Sequence, residues 1–492
     1  MAPEENEGKN KVEAKKEEAP VPKEQSVVTQ HAIMLDGKEL KYTVTAGTMI
    51  LKEEDQEKGE KPKASIFYIA YTLDGVEDTS QRPLTFSFNG GPGSSSVWLH
   101  LGMLGPKRVL VDEQGNPFPP PYKLVENEYT LLDKTDLVFI DPVSTGYSRP
   151  VPGEKAEEFH NIKKDVESVG EFIRLWTTRS KRWASPKFLI GESYGTTRGA
   201  ALSGFLQEQC GMYLNGIMLV SVVLNFQTIR FDPGNDLPFI LFLPTYAATA
   251  WYHQKLEDDL QADLQKTLAE VEAFALTEYT LALMKGSALP KEERAQIAKK
   301  LARYSGLSEK YIQQTDLRIN IYRFTKELLR EQGLTVGRLD SRFTGVDRDS
   351  AGENFEFDPS YAAIQGVYTA TLNQYVRAEL QYESDLPYEI LAPLYMKWKY
   401  DVYENQYVNV AETLRKGIAT NPALKVFVAN GYYDLATPYL ATRYTFDHLG
   451  LDEKLRNNIT MADYEAGHMM YVHLPSLQQL KADLAAFIAS AC

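Results

Sequence analysis

The sequence predicts an α/β protein: a central, mostly parallel sheet flanked by helices, with an inserted and mainly helical cap. Three observations predict it. Short apolar runs alternate with amphipathic helical stretches between residues 137 and 223, the pattern of parallel strands joined by crossover helices. From about 226 to about 390 no buried-strand run occurs and helical patterning dominates. Strand character returns only at Leu424–Asn430.

The elements follow in order. Residues 1–25 hold twelve charged residues and three prolines. A segment this polar cannot bury enough surface to offset its ordering entropy, so 1–28 reads as a disordered charged tail. From His31 the chain becomes strand-like. Residues 41–50, 65–72 and 84–88 are rich in β-branched and aromatic residues, with turn chemistry at Asp36-Gly37 and Asp74-Gly75; together they predict an opening antiparallel sheet. Leu137–Asp141 reads as a buried strand and Asn161–Thr178 as a helix with Ile162, Val166, Val169, Phe172, Ile173 and Trp176 on one stripe. Lys187–Gly191, Thr196–Gln209 and Gly216–Val223 continue as strand, helix and strand. Leu256–Met284 and Lys291–Tyr304 are helical, and Thr344–Glu356 is a polar turn region. Asn458–Ala462 is a last strand and Leu477–Ile488 a closing amphipathic helix. The domain reading is therefore a catalytic core from 29–225 and 391–492, with 226–390 as the cap.

Composition bounds the function. A chain of 492 residues with 43% hydrophobic content suits one large enzyme domain carrying an insertion. The net charge of −14 argues against nucleic acid as a partner, because such binders concentrate positive charge. No apolar run approaches the ~18 residues of a membrane span. Cys210 and Cys492 are the two cysteines, too few for a disulfide framework or a thiolate metal site, and they read as free thiols.

The strongest local signal is Gly191-Glu192-Ser193-Tyr194-Gly195. It fits G-x-S-x-G, with the strand KFLI running in and a helix running out, the context of a nucleophile elbow in the α/β-hydrolase fold. The small residues have a reason: a sharp turn leaves no room for side chains at Gly191 and Gly195. A serine hydroxyl is a weak nucleophile and needs a base and an orienting acid. In this fold they follow in the order serine, acid, histidine. His468, in the loop after the strand at 458–462, is the candidate base; His473 is its competitor and reads as structural. Asp434, just after the strand LKVFVAN, is the candidate acid, whereas Asp447 falls in a helix and reads as a solvated charge. Asn89-Gly90-Gly91-Pro92-Gly93 follows the strand LTFSF, where backbone N–H groups can form an oxyanion hole. No phosphate-binding glycine pattern, metal cluster or cofactor motif stands out, and triad chemistry requires none.

NGGPGSSS at 89–96, LGP at 104–106, DPVSTGYS at 141–148, GESYG at 191–195, NGYYDLATP at 430–438 and EAGHM at 465–469 resemble, in order, the signature blocks of the serine carboxypeptidase family; the chain looks like a bacterial-type member. The resemblance implies Ser193 as nucleophile, His468 as base and Asp434 as orienting acid, with oxyanion donors at the N–H of Gly91 and Tyr194. It implies a peptide substrate whose free terminal carboxylate is held by Asn89, the Gly90 N–H and Glu192. Two ionised carboxylates would repel, so a protonated Glu192 is needed, which implies a preference for acidic pH. This sequence departs from the pattern at three positions: Met103 replaces a second glutamate, Ser87 a tryptophan and Ser94 a cysteine. Met103 and Ser87 predict a modified carboxylate site. The alternative activity is a serine esterase or acyltransferase on the same fold that has lost this site. A periplasmic or secreted setting is favoured over a cytoplasmic one, and the oligomeric state is open.

Overall fold

The computed structural model describes residues 21–55 and 59–492. Most of the charged tail expected at 1–28 lies outside the described residues, and its last three positions belong to a strand. The main sheet is built from β1 (Ser26–Leu35), β2 (Lys38–Asp55), β3 (Gly59–Leu73), β4 (Leu84–Phe88), β5 (Asp136–Ile140), β6 (Lys187–Ser193), β7 (Gly216–Val222), β8 (Lys425–Gly431) and β9 (Ile459–Tyr464). Their spatial order is β1-β2-β3-β5-β4-β6-β7-β8-β9, with a two-residue strand at Arg149–Pro150 beside β3.

β1, β2 and β3 form an antiparallel meander, and β3 joins β5 antiparallel. Asp36 and Gly37 both carry positive φ, 48° and 76°, the backbone that a tight hairpin requires. From β5 onward every pairing is parallel. This corrects one expectation: Leu84–Phe88 lies inside the parallel sheet between β5 and β6, not in the opening antiparallel layer. All five of its residues are buried, so it lacks the in-out alternation of a half-exposed strand and matches a sheet covered on both faces. The first strand also begins five residues before His31; its alternation of exposed and partly buried positions is too polar to stand out in sequence.

Both faces of the parallel sheet are covered. On one lie α1 (Ile162–Arg179), α2 (Tyr194–Cys210) and, from further along the chain, Ala411–Thr420. Phe172, Leu202 and Leu414 pack there against Phe86, Leu189 and Leu219. Pro359–Ala378 and the closing helix Leu474–Ala491 cover the other face, where Leu372, Leu480 and Phe487 meet Phe139, Met218 and Phe427. Along β7 the residues alternate between the two cores, as a strand with period two must. Asn161 caps α1 by accepting from the Lys164 N–H.

Between β7 and β8 the chain forms helices at Leu237–Tyr252, Leu264–Phe274 and Lys291–Ser305 with a separate core around Tyr246, Phe274 and Phe324. The stretch expected as one helix from Leu256 to Met284 is broken, because Asp263 starts a new helix by capping the Lys266 N–H. A two-strand ladder at 335–336 and 344–345 interrupts this helical region, and its connecting loop returns to the core. Among the described residues no helix is long and apolar enough to cross a membrane, and Cys210 and Cys492 are both free.

Candidate active site

β6 ends in a sharp turn at Ser193, whose φ of 60° and ψ of −129° place a non-glycine residue in strained backbone, a condition that clusters at functional positions. Close approach explains the flanking glycines: a Cβ on Gly191 would sit 2.3 Å from the Gly195 carbonyl oxygen. Thr196 ties the turn down; its hydroxyl donates to the Ser193 carbonyl at 2.7 Å and accepts from the Val223 N–H at 2.9 Å. Ser193 is partly exposed while Glu192 and Tyr194 on either side are buried.

Asp434 and His468 come together from the ends of β8 and β9. His468 Nδ1 lies 2.7 Å from Asp434 Oδ2. The other carboxylate oxygen accepts from the N–H groups of Ala436 and Thr437 at 2.7 and 3.0 Å, and the Thr437 hydroxyl donates to Oδ2 at 2.6 Å. Asp434 is fully buried. Burial disfavours an imidazolium, but the Asp434 charge and hydrogen bond outweigh it, so His468 titrates above its ordinary value. The His468 backbone is held as well. Its N–H donates to the Leu339 carbonyl at 2.7 Å, and its carbonyl accepts from the Ser221 hydroxyl at 2.5 Å. Ser221 lies on β7, beside the β6 end that carries Ser193. No hydrogen bond joins the Ser193 hydroxyl to His468 among the described residues; such bonds are often long without substrate.

The competitors sit elsewhere. His473 receives or donates through Nδ1 to the Ser476 hydroxyl at 2.8 Å, at the start of the closing helix, and burial lowers its pKa to about 4. Asp447 is exposed at a helix end.

The Asn89–Gly93 loop packs directly on the elbow. A Cβ on Gly90 would lie 2.4 Å from the Tyr194 nitrogen and 2.7 Å from the Glu192 carbonyl oxygen. The N–H groups of Gly90 and Gly91 donate to no described residue, and the Tyr194 N–H, first in α2, has no intrahelical acceptor. Unpaired N–H groups from two segments thus surround Ser193. Gly90→Ala should wedge these segments apart and lower kcat by about 10²–10³-fold, the loss typical of one oxyanion donor; turnover of an activated ester checks it, and unaltered turnover would mean the loop does not serve the reaction.

Beneath the loop, Arg198 reaches up from α2. Its Nη1 donates to the Asn89 carbonyl at 2.6 Å, and Nε and Nη2 hold Asp165 at 2.8 and 3.1 Å. Both side chains are almost wholly buried. The Asn89 Oδ1 accepts from the Leu99 N–H at 3.1 Å, while its buried Nδ2 has no complete hydrogen bond although it faces Glu192 and Tyr471. Burial pushes the Glu192 carboxyl up to about 7; His468 and the hydrogen bond from Tyr471 pull it down, and Asp434 adds to the rise. Met103, in the position of the second glutamate, is completely buried.

Arg198, Asp165, Thr437, Ser221 and Tyr471 escaped the sequence reading. A charged residue five positions after Ser193, directly before the small and apolar run GAALSGFL, was the available signal for Arg198. Tyr471 lies three residues after His468, close enough in sequence to share its loop.

The serine carboxypeptidase family model matches residues 56–473. Serine carboxypeptidase-like 29 of Arabidopsis thaliana is 29% identical over 133 residues, 26% of each chain. The pheromone-processing carboxypeptidase KEX1 of Saccharomyces cerevisiae is 36% identical over 104 residues, 21% of this chain and 13% of that protein. These matched stretches span about a quarter or less of the curated relatives. A crystal structure of a truncated form of the yeast KEX1 carboxypeptidase superposes with a TM-score of 0.57 at 16% identity, covering 91% of both chains; that similarity establishes the α/β-hydrolase fold. With a family model spanning most of its length, the chain belongs to the serine carboxypeptidase family.

Proposed function

We propose that the protein removes single residues from the C-termini of peptides through an acyl-enzyme on Ser193. The observation that carries this reading is the buried Glu192, one residue before the nucleophile, whose carboxyl is held near pH 7. Hydrolysis of an internal peptide bond has no use for an acid there. A terminal carboxylate does: a protonated Glu192 donates a hydrogen bond to it, whereas an ionised one repels it. Asn89 Nδ2, buried without a complete partner, and the free Gly90 N–H supply two further donors.

In the first step the Ser193 hydroxyl attacks the scissile carbonyl carbon while His468 Nε2 takes its proton. Asp434 keeps the other ring nitrogen protonated and stabilises the imidazolium. The N–H groups of Gly91 and Tyr194 receive the developing oxyanion. His468 then protonates the leaving amine, and the terminal amino acid departs. Water repeats the sequence on the acyl-enzyme, returning Ser193.

This assignment predicts different pH profiles for different substrates. His468 must be neutral to act as base, so every activity rises through its pKa. Glu192 must be protonated to hold a carboxylate, so hydrolysis of a blocked dipeptide acid such as Z-Phe-Leu falls again above about pH 7. Its kcat/KM profile is therefore a narrow bell, while the ethyl ester rises to a plateau. The dipeptide amide should be a poor substrate throughout. An acid and an amide cleaved equally well would overturn the carboxypeptidase reading; ester hydrolysis without peptide cleavage would move it to an esterase, with Met103 and Ser87 as the cause.

A further inference from the structure

We infer that Tyr471 is the positioning residue of the carboxylate site, its hydroxyl holding Glu192 in place where the chain offers Met103 instead of a second acid. The inference rests on the carboxypeptidase reading above. Its first support is a direct contact: the Tyr471 hydroxyl donates to Glu192 Oε2 at 2.6 Å, across 279 residues of sequence. Both groups are buried, so the bond is formed away from competing water, where leaving either partner unpaired is costly.

The second support is the room made for the ring. Gly102 precedes Met103, and a Cβ at Gly102 would lie 2.3 Å from the Tyr471 ring and 2.9 Å from the Tyr368 hydroxyl. Any other residue at 102 would displace the ring from Glu192. Met103 itself is wholly buried among apolar neighbours such as Leu101 and Leu104. The segment 102–103 thus supplies no acid but leaves space for a phenol arriving from the opposite side.

The chemistry differs from that of two carboxyls sharing a proton. Burial holds the Tyr471 proton in place, so Glu192 Oε2 is committed as an acceptor. A proton taken up by Glu192 then resides on Oε1, the oxygen left free to donate to a substrate carboxylate. Tyr471 fixes which oxygen carries the proton, much as an acid fixes a histidine tautomer. The groups facing Glu192 are His468 and Asp434 from the β8 and β9 loops, Tyr368 from the helix Pro359–Ala378, and Tyr471 itself.

Tyr471→Phe tests this, because the ring remains and only the hydroxyl is lost. For Z-Phe-Leu below the alkaline limb, KM should rise by about 3–10-fold, the effect of losing a hydrogen bond between neutral groups once Glu192 is protonated, with kcat little changed. The alkaline limb of kcat/KM should move up by about one pH unit, since the hydroxyl favours the ionised carboxylate. Ethyl ester turnover and fluorophosphonate labelling of Ser193 should match the wild type, which also reports that the variant is folded. A Tyr471→Phe enzyme with wild-type KM and pH limb overturns the proposal alone. Equal loss of ester turnover and labelling also overturns it, by showing a merely structural role. A wild type indifferent to the terminal carboxylate overturns it together with the reading it rests on.

Discussion

His468→Ala should lower kcat on a blocked dipeptide by about 10⁴–10⁶-fold, the range found when a base is removed from a serine triad. The stability cost should be moderated, because the buried Asp434 carboxylate keeps the Ala436 and Thr437 N–H groups and the Thr437 hydroxyl. The structural duties of this position belong to its backbone, whose N–H binds Leu339 and whose carbonyl binds Ser221, and alanine keeps both. Only the imidazole disappears. Asp434→Asn should lower kcat by about 10⁴-fold, because an amide that presents its NH₂ to His468 selects the wrong tautomer. Here the geometry leaves no easy escape. Oδ1 of Asp434 already receives two backbone N–H groups, so the amide nitrogen is forced to the Oδ2 side, against the ring. Steady-state kinetics with a thermal unfolding control check both variants. Substantial activity in His468→Ala would mean that the base lies elsewhere, and His473, committed to Ser476, would need to leave a helix start to replace it.

Arg198→Met should cost about 3–5 kcal/mol of stability, the penalty of stranding one member of a buried ion pair. Asp165 would keep its carboxylate in the core with neither of its two Arg198 bonds, and the Asn89 carbonyl would lose its donor. The double variant Asp165→Leu, Arg198→Met should recover much of that loss, because the desolvated charge goes with its partner. Catalysis should not recover in parallel. The Asn89 carbonyl still lacks its support from below, and the glycines that face Ser193 follow it directly. Urea unfolding gives the stability change and ester turnover the activity. A single-variant loss below about 1 kcal/mol, the range of surface pairs, would show that water reaches the pair.

How legible all this was in sequence depended on how local the cause is. The elbow is a local object: five residues, a strand before and a helix after. The same holds for Asp434 and His468, each fixed by its position just beyond a strand, and the structure brings these two side chains together at 2.7 Å. The parallel strands were visible because burial on both faces leaves continuous apolar runs such as LTFSF and LVFID. That same continuity hid their neighbours: Leu84–Phe88 was grouped with the antiparallel strands because an apolar run does not say what it pairs with. Residues acting across the fold left almost no trace. Tyr471 reads as one tyrosine among 29, and nothing near it in sequence says that its hydroxyl meets Glu192. Arg198 and Asp165 are 33 residues apart on different helices and gain meaning only when α1 and α2 lie side by side.

The loop at 336–343 carries a consequence for how such an enzyme can be altered. It follows the helices between β7 and β8 and braces the segments just beyond β8 and β9, which also bond directly to each other. The Leu435 N–H donates to the Arg338 carbonyl, the Ser341 N–H to the Tyr433 carbonyl, and the His468 N–H to the Leu339 carbonyl. Asp340, paired with Arg342, accepts from the Gly467 N–H at 3.1 Å. The chain between β7 and β8 is therefore not a detachable module. A graft that exchanged residues 226–390 wholesale would carry away the struts of both the acid and the base, and with them the helix Pro359–Ala378 that covers the sheet, leaving a slack triad. Exchange confined to the outer helices, on the near side of residue 335, leaves those struts intact. The supports of the triad thus begin only at the far end of this helical region, and that boundary is where a chimaera should be cut.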